Sequence, residues 1–464
     1  MDAIKKYGIY NSMFLNLSYQ NSKNIGHLLP LLSEFAKKRL KERIDPVQIL
    51  NKFIDNQPET IGENTLAFMF RIVQYVERQI VLFDSIEDSA KPKELEDGNF
   101  LRVVDIFSQH PTQENSQELL KKLNEFKVRV VLTAHPTQFY TPAILNIITK
   151  LRVQISKNQI EEVDELLHQL GLTSLVNSKS PTPIDEAMNI LHICRYDYYD
   201  ALGDLYYDLS TSIPGFDNPE LINLGFWPCG DRDGNPFVTH NTTRQVVDAL
   251  RMTLMKCYYH DIKKLSSKMT FKKVDGILLD LKEELYKSMF DSEYLIHYSE
   301  ILKRLSKAEK LIVDNYQELY LEDLKKVQLK VNIFKNHFAS LDIRQNHDVH
   351  EETVAYLLKE AGIIKNSIDE LSKEELIELL TNGLVEIKDY AKAAPLIIDT
   401  IKNISQLKEI QSRNGEIGCH RYIISNSEDI FSVLLVFGLI RWIYNGKMLN
   451  FDIIPLFETM DGMA

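Results

Sequence analysis

The chain has 464 residues, 44% hydrophobic and 26% charged, proportions typical of a globular protein with a substantial core. Its formal net charge of -12 argues against a nucleic-acid backbone as the main partner, so a site for an anionic ligand would need a local group of arginines. The four cysteines form no Cys-x-x-Cys pair, and no signal peptide or membrane-spanning apolar run is present, so we expect a cytoplasmic protein with reduced thiols and no membrane contact.

The first part of the chain, residues 1–124, is predicted to be a helical region without a site of its own. Apolar residues recur at helical spacing in residues 28–40 and 64–82. A shorter helix is predicted over residues 46–55, because Asp45 is a suitable N-cap and Pro46 fits the first helical position. Packing, not chemistry, is the role we expect for this region.

Residues 125–464 alternate short apolar runs with long amphipathic stretches. Five apolar runs that end in polar residues are predicted as strands: Val128–Leu132, Ile222–Trp227, Phe338–Leu341, Arg421–Ile424 and Phe451–Phe457. Helices are predicted between them, notably over residues 241–266, 297–336, 347–361 and 373–384. This order indicates an α/β protein: a mostly helical TIM-type β/α barrel with large helical insertions, of whose eight strands about the first five are present.

The first candidate site residue is His135, directly after the predicted strand Val128–Leu132. Its imidazole could transfer a proton near neutral pH, with Thr133, Thr137 and Gln138 available to orient the ring. The tetrapeptide His-Pro-Thr-Gln also begins at His110, in a polar stretch that resembles the entry to a helix. The preceding strand therefore distinguishes His135, although a structural histidine is the alternative.

The second candidate is Arg232 in the turn Gly230–Pro236. The spacing of Asp231, Asp233 and Asn235 resembles the start of an EF-hand loop, but Pro236 stands where that loop needs glycine, so we reject calcium. We interpret the turn as a rigid loop that places Arg232 in an anionic site while the aspartates anchor it. A purely structural turn is the alternative.

Two further candidates follow later strands. Arg344 offers a planar fork of donors suited to phosphate or carboxylate, and a surface ion pair is its alternative role. Glu458 is a hard oxygen ligand of the kind that magnesium or manganese prefers, although one carboxylate does not make a metal site. His347 and His350 lie one helical turn apart but lack a third ligand, so we expect a solvated helical turn there and no metal.

In this order, the motifs resemble the phosphoenolpyruvate carboxylase family. Val131–Gln138 is similar to the family's histidine signature, Gly230–Pro236 to its second motif and Leu341–Gln345 to its third. Weaker support comes from Pro181–Ala187, Tyr422–Ser425 and Pro455–Thr459. The resemblance extends from about residue 125 to the end of the chain.

The resemblance implies a β/α barrel enzyme, usually a homotetramer, that needs Mg²⁺ or Mn²⁺ and converts phosphoenolpyruvate and bicarbonate to oxaloacetate and phosphate. It implies that His135 takes the proton from carboxyphosphate, that Arg344 and Arg232 bind the anionic substrate, and that Glu458 is a metal ligand. Phosphoenolpyruvate and bicarbonate would be the ligands, with no nucleic acid and no membrane among the partners.

The chain ends about halfway along the length of that family, before the second metal carboxylate. We therefore expect an N-terminal portion that is inactive alone, as a fragment or as one part of a split enzyme that pairs with a complementary C-terminal half. A non-catalytic paralogue that binds another polypeptide is the competing hypothesis.

Overall fold

The structure is a computed structural model. It describes residues 3–15, 25–56, 65–89, 113–133, 140–175, 181–387, 390–447, 450–460 and 463. The chain divides into two compact units, one formed by residues 1–106 and 136–180, the other by residues 107–135 and 181–464. The predicted division at residue 124 into a helical region and a barrel stays a prediction.

Helices dominate both units. In chain order, the first helices are α1 (Ala3–Leu15), α2 (Ile25–Lys41), α3 (Pro46–Asp55), α4 (Thr65–Ser89), α5 (Gln113–Glu125), α6 (Pro142–Ser156), α7 (Ile160–Leu172), α8 (Pro183–Ile193) and α9 (Tyr199–Ser212). The later ones are α10 (His240–Lys268), α11 (Val274–Ser288), α12 (Tyr298–Asn315), α13 (Leu321–Phe334), α14 (His347–Glu360), α15 (Lys373–Thr381), α16 (Pro395–Asn414) and α17 (Ile430–Ile443). A π-helical turn, Cys194–Tyr198, joins α8 to α9. None of the described helices is long and apolar enough to span a bilayer.

The first unit contains α1–α4, α6 and α7 around an apolar core. Phe53, Phe68 and Leu82 are among its fully buried side chains. The predicted start of α3 is confirmed, since the side chain of Asp45 accepts hydrogen bonds from the backbone N–H groups of Val47 and Gln48. Such a cap satisfies donors that the first helical turn leaves unpaired.

The second unit is built on five parallel strands, β1 (Val128–Leu132), β2 (Ile222–Phe226), β3 (Ser340–Asn346), β4 (Arg421–Ser425) and β5 (Asp452–Pro455). Each strand pairs with the next in sequence, so the order across the sheet is β1-β2-β3-β4-β5. The predicted α/β class and the five parallel strands are thus confirmed. Because all strands run the same way, their carboxyl ends meet at one edge of the sheet, where parallel α/β proteins place their sites.

Two predicted elements have different bounds in the structure. The single helix predicted over residues 297–336 is two helices, α12 and α13, because Gln317, Glu318 and Tyr320 adopt positive φ between them. Strand β3 was predicted to end at Leu341 but continues to Asn346. Arg344 therefore lies within a paired strand and not in the loop that follows it.

Candidate active site

The site begins with the loop that follows β2. Its backbone reverses at Trp227, whose carbonyl accepts hydrogen bonds from the N–H groups of Gly230 and Asp231 at 2.8 and 3.0 Å. Cys229 and Gly234 complete the turn with φ values of 61° and 65°. Glycine adopts this left-handed conformation without strain, which explains its use at position 234.

The loop is fixed to β3 by backbone hydrogen bonds. The N–H of Arg232 donates to the carbonyl of Arg344, and the N–H of Arg344 donates to the carbonyl of Gly230, both at 2.9 Å. This parallel bridge extends the pairing of β2 and β3 beyond their regular ends. The backbones of the two predicted substrate-binding arginines are therefore neighbours, although the residues are far apart in sequence.

Arg344 is surrounded by carboxylates. Its Nη2 atom lies 3.1 Å from Asp233 Oδ2 and 3.2 Å from Glu458 Oε1, and its Nε atom lies 3.7 Å from Asp231 Oδ1. Burial raises the pKa of Asp231 more than the nearby Arg344 lowers it. Three carboxylates around one guanidinium leave an excess of negative charge, which would favour a further cation.

Arg232 is held by a different partner. Its side chain is only 2% exposed, and its Nη2 atom donates to Asp399 Oδ2 at 2.5 Å. Asp399 also accepts hydrogen bonds from the backbone N–H and ring Nδ1 of His240. Burial would raise the pKa of Asp399, but Arg232 and the bonds from His240 hold it below its usual value. The aspartates of the loop thus contact Arg344, whereas Arg232 is oriented by Asp399 on α16.

Both arginines retain donors that could hold an anion. Arg232 Nη1 and Arg344 Nε are buried and have no hydrogen-bond partner in the part of the chain that the structure describes. A buried N–H without an acceptor costs free energy, which a bound oxyanion would recover. A cleft of about 760 Å³ lies beside Arg232 and is lined in part by Gln345 and Asn346.

Below this edge, a buried ion pair crosses three strands. Arg129 on β1 donates to Asp342 Oδ1 on β3 at 2.5 Å, and Trp227 Nε1 donates to the second oxygen of Asp342 at 3.1 Å. Asp342 is 3% exposed. Since the carboxylate has donors on both oxygens, it rigidifies the strands under Arg344.

Glu458 lies after β5, with its carboxylate 40% exposed. One oxygen faces Arg344 and the other accepts from the backbone N–H of Asn426 at 2.9 Å. Within the described ranges, no group of three or more histidine, cysteine, aspartate or glutamate side chains is arranged to hold a metal ion. The described residues therefore supply one suitable carboxylate but not a complete set of metal ligands.

The histidines singled out in the sequence are only partly covered by the described residues. His135 and the second tetrapeptide at His110 lie outside the described residues. His347 and His350 were expected in a solvated helical turn, and this was wrong, because they are 8% and 0% exposed. His350 Nε2 lies 2.9 Å from the hydroxyl of Tyr422 on β4. Helix α14 turns this face toward the sheet, so the pair packs in the interior.

Three site residues were missed by sequence reasoning. Asp399 contacts Arg232, His240 contacts Asp399, and Trp227 contacts Arg344, but none of the three stands in a motif that indicates chemistry. Asp399 lies within an ordinary amphipathic helix, so only the fold brings it to Arg232. Trp227 follows β2 directly, and its position at a strand end was the one available signal.

Comparisons with known proteins give one consistent result. A model of the family "Phosphoenolpyruvate carboxylase" matches residues 20–291 and 278–464. The phosphoenolpyruvate carboxylase of Vibrio vulnificus strain YJ016 is 25% identical over 403 residues, which are 75% of this chain and 45% of that protein. Those of Vibrio parahaemolyticus and Aliivibrio salmonicida are 25% identical over 399 and 407 residues. The chain spans about half the length of the curated relatives that it matches.

Proposed function

Because the chain belongs to the phosphoenolpyruvate carboxylase family, we propose that it forms the part of such a carboxylase that binds the phosphate of phosphoenolpyruvate. The bridge between Arg232 and Arg344 carries this proposal. It brings the backbones of the two arginines together at the carboxyl ends of adjacent strands, and each side chain has a buried N–H without a hydrogen-bond partner among the described residues. Arginine suits this task because its planar donors match the oxygens of a phosphate.

The proposed overall reaction forms oxaloacetate and phosphate from phosphoenolpyruvate and bicarbonate. A bicarbonate oxygen attacks the phosphorus, the bond from phosphorus to the enol oxygen breaks, and carboxyphosphate and the enolate of pyruvate result. Loss of a proton from carboxyphosphate releases carbon dioxide, which the enolate carbon then attacks. Two anions must meet in this reaction, so fixed positive charges lower its barrier.

The residues take the following proposed roles. Arg344 and Arg232 hold the phosphate, and Asp399 orients Arg232 by occupying its Nη2 atom. The motif around His135 supports this histidine as the acceptor of the carboxyphosphate proton.

A divalent cation, Mg²⁺ or Mn²⁺, stays a proposal at Glu458. The excess of carboxylates around Arg344 supports it, since Asp231, Asp233 and Glu458 bear more charge than one guanidinium offsets. The incomplete set of ligands among the described residues means that further donors must come from elsewhere. The cation would stabilise negative charge on the enolate oxygen.

Phosphoenolpyruvate binding by the purified chain tests the phosphate site. We expect calorimetry to detect saturable binding, and Arg344→Gln to weaken it by about tenfold or more, because a charge-assisted contact is lost. Arg152→Gln, which removes the same charge from the exposed face of α6, is the matched control. Equal binding by all three proteins would contradict the proposal.

The chain is proposed to be inactive alone and to act together with a complementary C-terminal half. The proposed assembly is a cytoplasmic homo-oligomer, a tetramer as in the family. Two observations support this: the chain spans about half of its relatives, and among the described residues β1 and β5 each pair with a single strand. Assay of oxaloacetate formation, with and without a co-expressed C-terminal half of a relative, tests it. Robust turnover by the chain alone would contradict it.

The second candidate is a non-catalytic member of the family that binds another polypeptide. The same open strand edges favour it. A chain that co-purifies with a partner, yet neither binds phosphoenolpyruvate nor forms oxaloacetate with it, would establish this alternative.

A further inference from the structure

A second cavity lies at the opposite end of the sheet from Arg344. It has a volume of about 290 Å³ and is lined by the first residues of four strands, Val128, Ile222, Ser340 and Arg421. Because the strands are parallel, this is their amino-terminal edge, whereas the candidate active site is at their carboxyl ends. The proposed function assigns no role to it.

The charges that line this cavity are mainly positive. Lys127, Arg129 and Arg421 line it, against one carboxylate, that of Glu220. Just outside, Lys335 pairs with Glu220 at 3.3 Å, Asp342 pairs with Arg129 at 2.5 Å and Asp452 pairs with His420 at 3.8 Å. Four cations therefore face three carboxylates in and around the cavity, an excess of one positive charge.

The ends of two helices offset this excess. The C-termini of α13 and α16 precede two of the lining residues, His337 and Ile417. A helix C-terminus carries about half a negative charge, so two of them offset about one positive charge. The surroundings of the cavity are therefore close to neutral, and Arg421 is the lining cation for which no ion pair is found within the described ranges.

Two arginines of the cavity have unpartnered donors. The Nε atoms of Arg129 and Arg421 are buried and make no hydrogen bond among the described residues. The backbone of Arg421 is paired on both sides at the start of β4. Its guanidinium group makes no ion pair or hydrogen bond within the same ranges. Buried donors of this kind are normally satisfied by an acceptor, and both arginines line the cavity.

Two histidines line the same space. His420 Nδ1 lies 3.1 Å from the carbonyl of Ile417, so this nitrogen is the hydrogen-bond donor. Burial, together with Lys335, His420 and Arg129, lowers the pKa of His337 to about 4. Burial and the cations Arg421 and Arg129 also lower the pKa of His420. Burial is the largest cause of both shifts, and the neighbouring cations add to it.

We propose that this cavity binds a small oxyanion, a carboxylate or phosphate group, with Arg421 and Arg129 as its charged donors and the two histidine rings beside it. The site is separate from the candidate active site, because the full length of the strands lies between them. Its ligand would influence the sheet through the Arg129–Asp342 pair that underlies Arg344.

The test uses inorganic phosphate and acetate as probes and histidine-selective NMR of the whole chain at constant ionic strength. The chain has 12 histidines. We expect the ring signals of His337 and His420 to shift saturably with the probe. His240, which contacts Asp399 beside Arg232, reports the candidate active site separately. Failure of the phosphoenolpyruvate site would thus leave the His337 and His420 response intact.

Variants decide which residue binds. Arg421→Gln should weaken the response of His337 and His420 by about tenfold or more, and Arg421→Lys should retain part of it, because the charge remains. Arg344→Gln and the surface control Arg152→Gln should leave it unchanged. A response that does not saturate in the unaltered chain, or that is equal in Arg421→Gln, would overturn the proposal.

Discussion

At the residue scale, the buried histidine of α14 couples stability to pH. Burial, together with His347 and Arg232, lowers the pKa of His350 to about 3. The ring is neutral and meets the hydroxyl of Tyr422, whose pKa burial raises. In the unfolded chain the same imidazole would protonate near its ordinary pKa of about 6.5.

The free energy of unfolding should therefore fall as the pH drops below about 6.5. The His350 imidazole of the unfolded chain binds a proton there, whereas that of the folded chain does so only near pH 3. For His350 alone, the expected loss between pH 7 and pH 5 is about 2 kcal/mol. Urea unfolding at both pH values measures it. His350→Gln should reduce the difference, whereas His192→Gln, on the exposed face of α8, should keep it. An unchanged pH dependence in His350→Gln would show that the ring is not the cause.

At the element scale, the loop after β2 approaches β3 so closely that it requires glycine. A Cβ atom on Gly230 would lie 2.0 Å from the carbonyl oxygen of Asp342. That oxygen belongs to a strand paired on both sides, so it cannot move aside without disturbing the sheet.

Gly230→Ala is accordingly expected to destabilise the protein by more than about 2 kcal/mol and to weaken phosphoenolpyruvate binding, since the same loop carries Arg232. Thermal unfolding and calorimetry measure the two effects. Gly276→Ala is the control: no atom lies within 4 Å of its added Cβ in α11, so it should stabilise by about 0.5–1 kcal/mol. Similar stability changes in the two variants would refute the close approach.

Local patterns predicted many elements and failed where long-range packing decides. Asp45 with Pro46 and the valines of β1 indicated their structures directly. Helix α17 has an almost uniformly apolar sequence without helical periodicity, so it was not predicted. The break between α12 and α13 depends on positive φ at non-glycine residues. Tertiary packing imposes this conformation, and no sequence pattern predicts it.

The site divides in the same way. Strand ends and residue chemistry were enough to single out Arg232, Arg344 and Glu458, and the fold brings Arg344 into contact with Glu458 and, through the backbone, with Arg232. The sequence did not predict which carboxylate forms an ion pair with which arginine. Asp399 lies on α16, a helix that was not predicted, and contacts Arg232 only because α16 packs beside the loop after β2.

At the scale of the whole molecule, the outer strands are the exposed part of the sheet. Among the described residues, β1 pairs with β2 alone. Three of its valines retain accessible surface: Val128 39%, Val130 38% and Val131 36%. An unpaired edge with apolar side chains is a template for another strand.

We therefore expect the isolated chain to associate as its concentration rises, and Val130→Lys to reduce this, because a charged edge residue opposes strand pairing. Light scattering after size exclusion, over a series of concentrations, measures it. Val313→Lys introduces the same charge at an exposed position of α12 and should leave association unchanged. A chain that stays monomeric throughout would contradict the expectation.

The bridge between Asp231 and Arg344 also bears on how such proteins can be recombined. A chimaera of two relatives joined anywhere from α10 to α13 would take the Arg232 loop from one parent and its backbone partner from the other. The two parents would have to agree in loop length and in strand register for both hydrogen bonds to form. The long helical insertion α10–α13 lies between these motifs, so it can be exchanged as a block only if both of its flanking motifs come from the same parent.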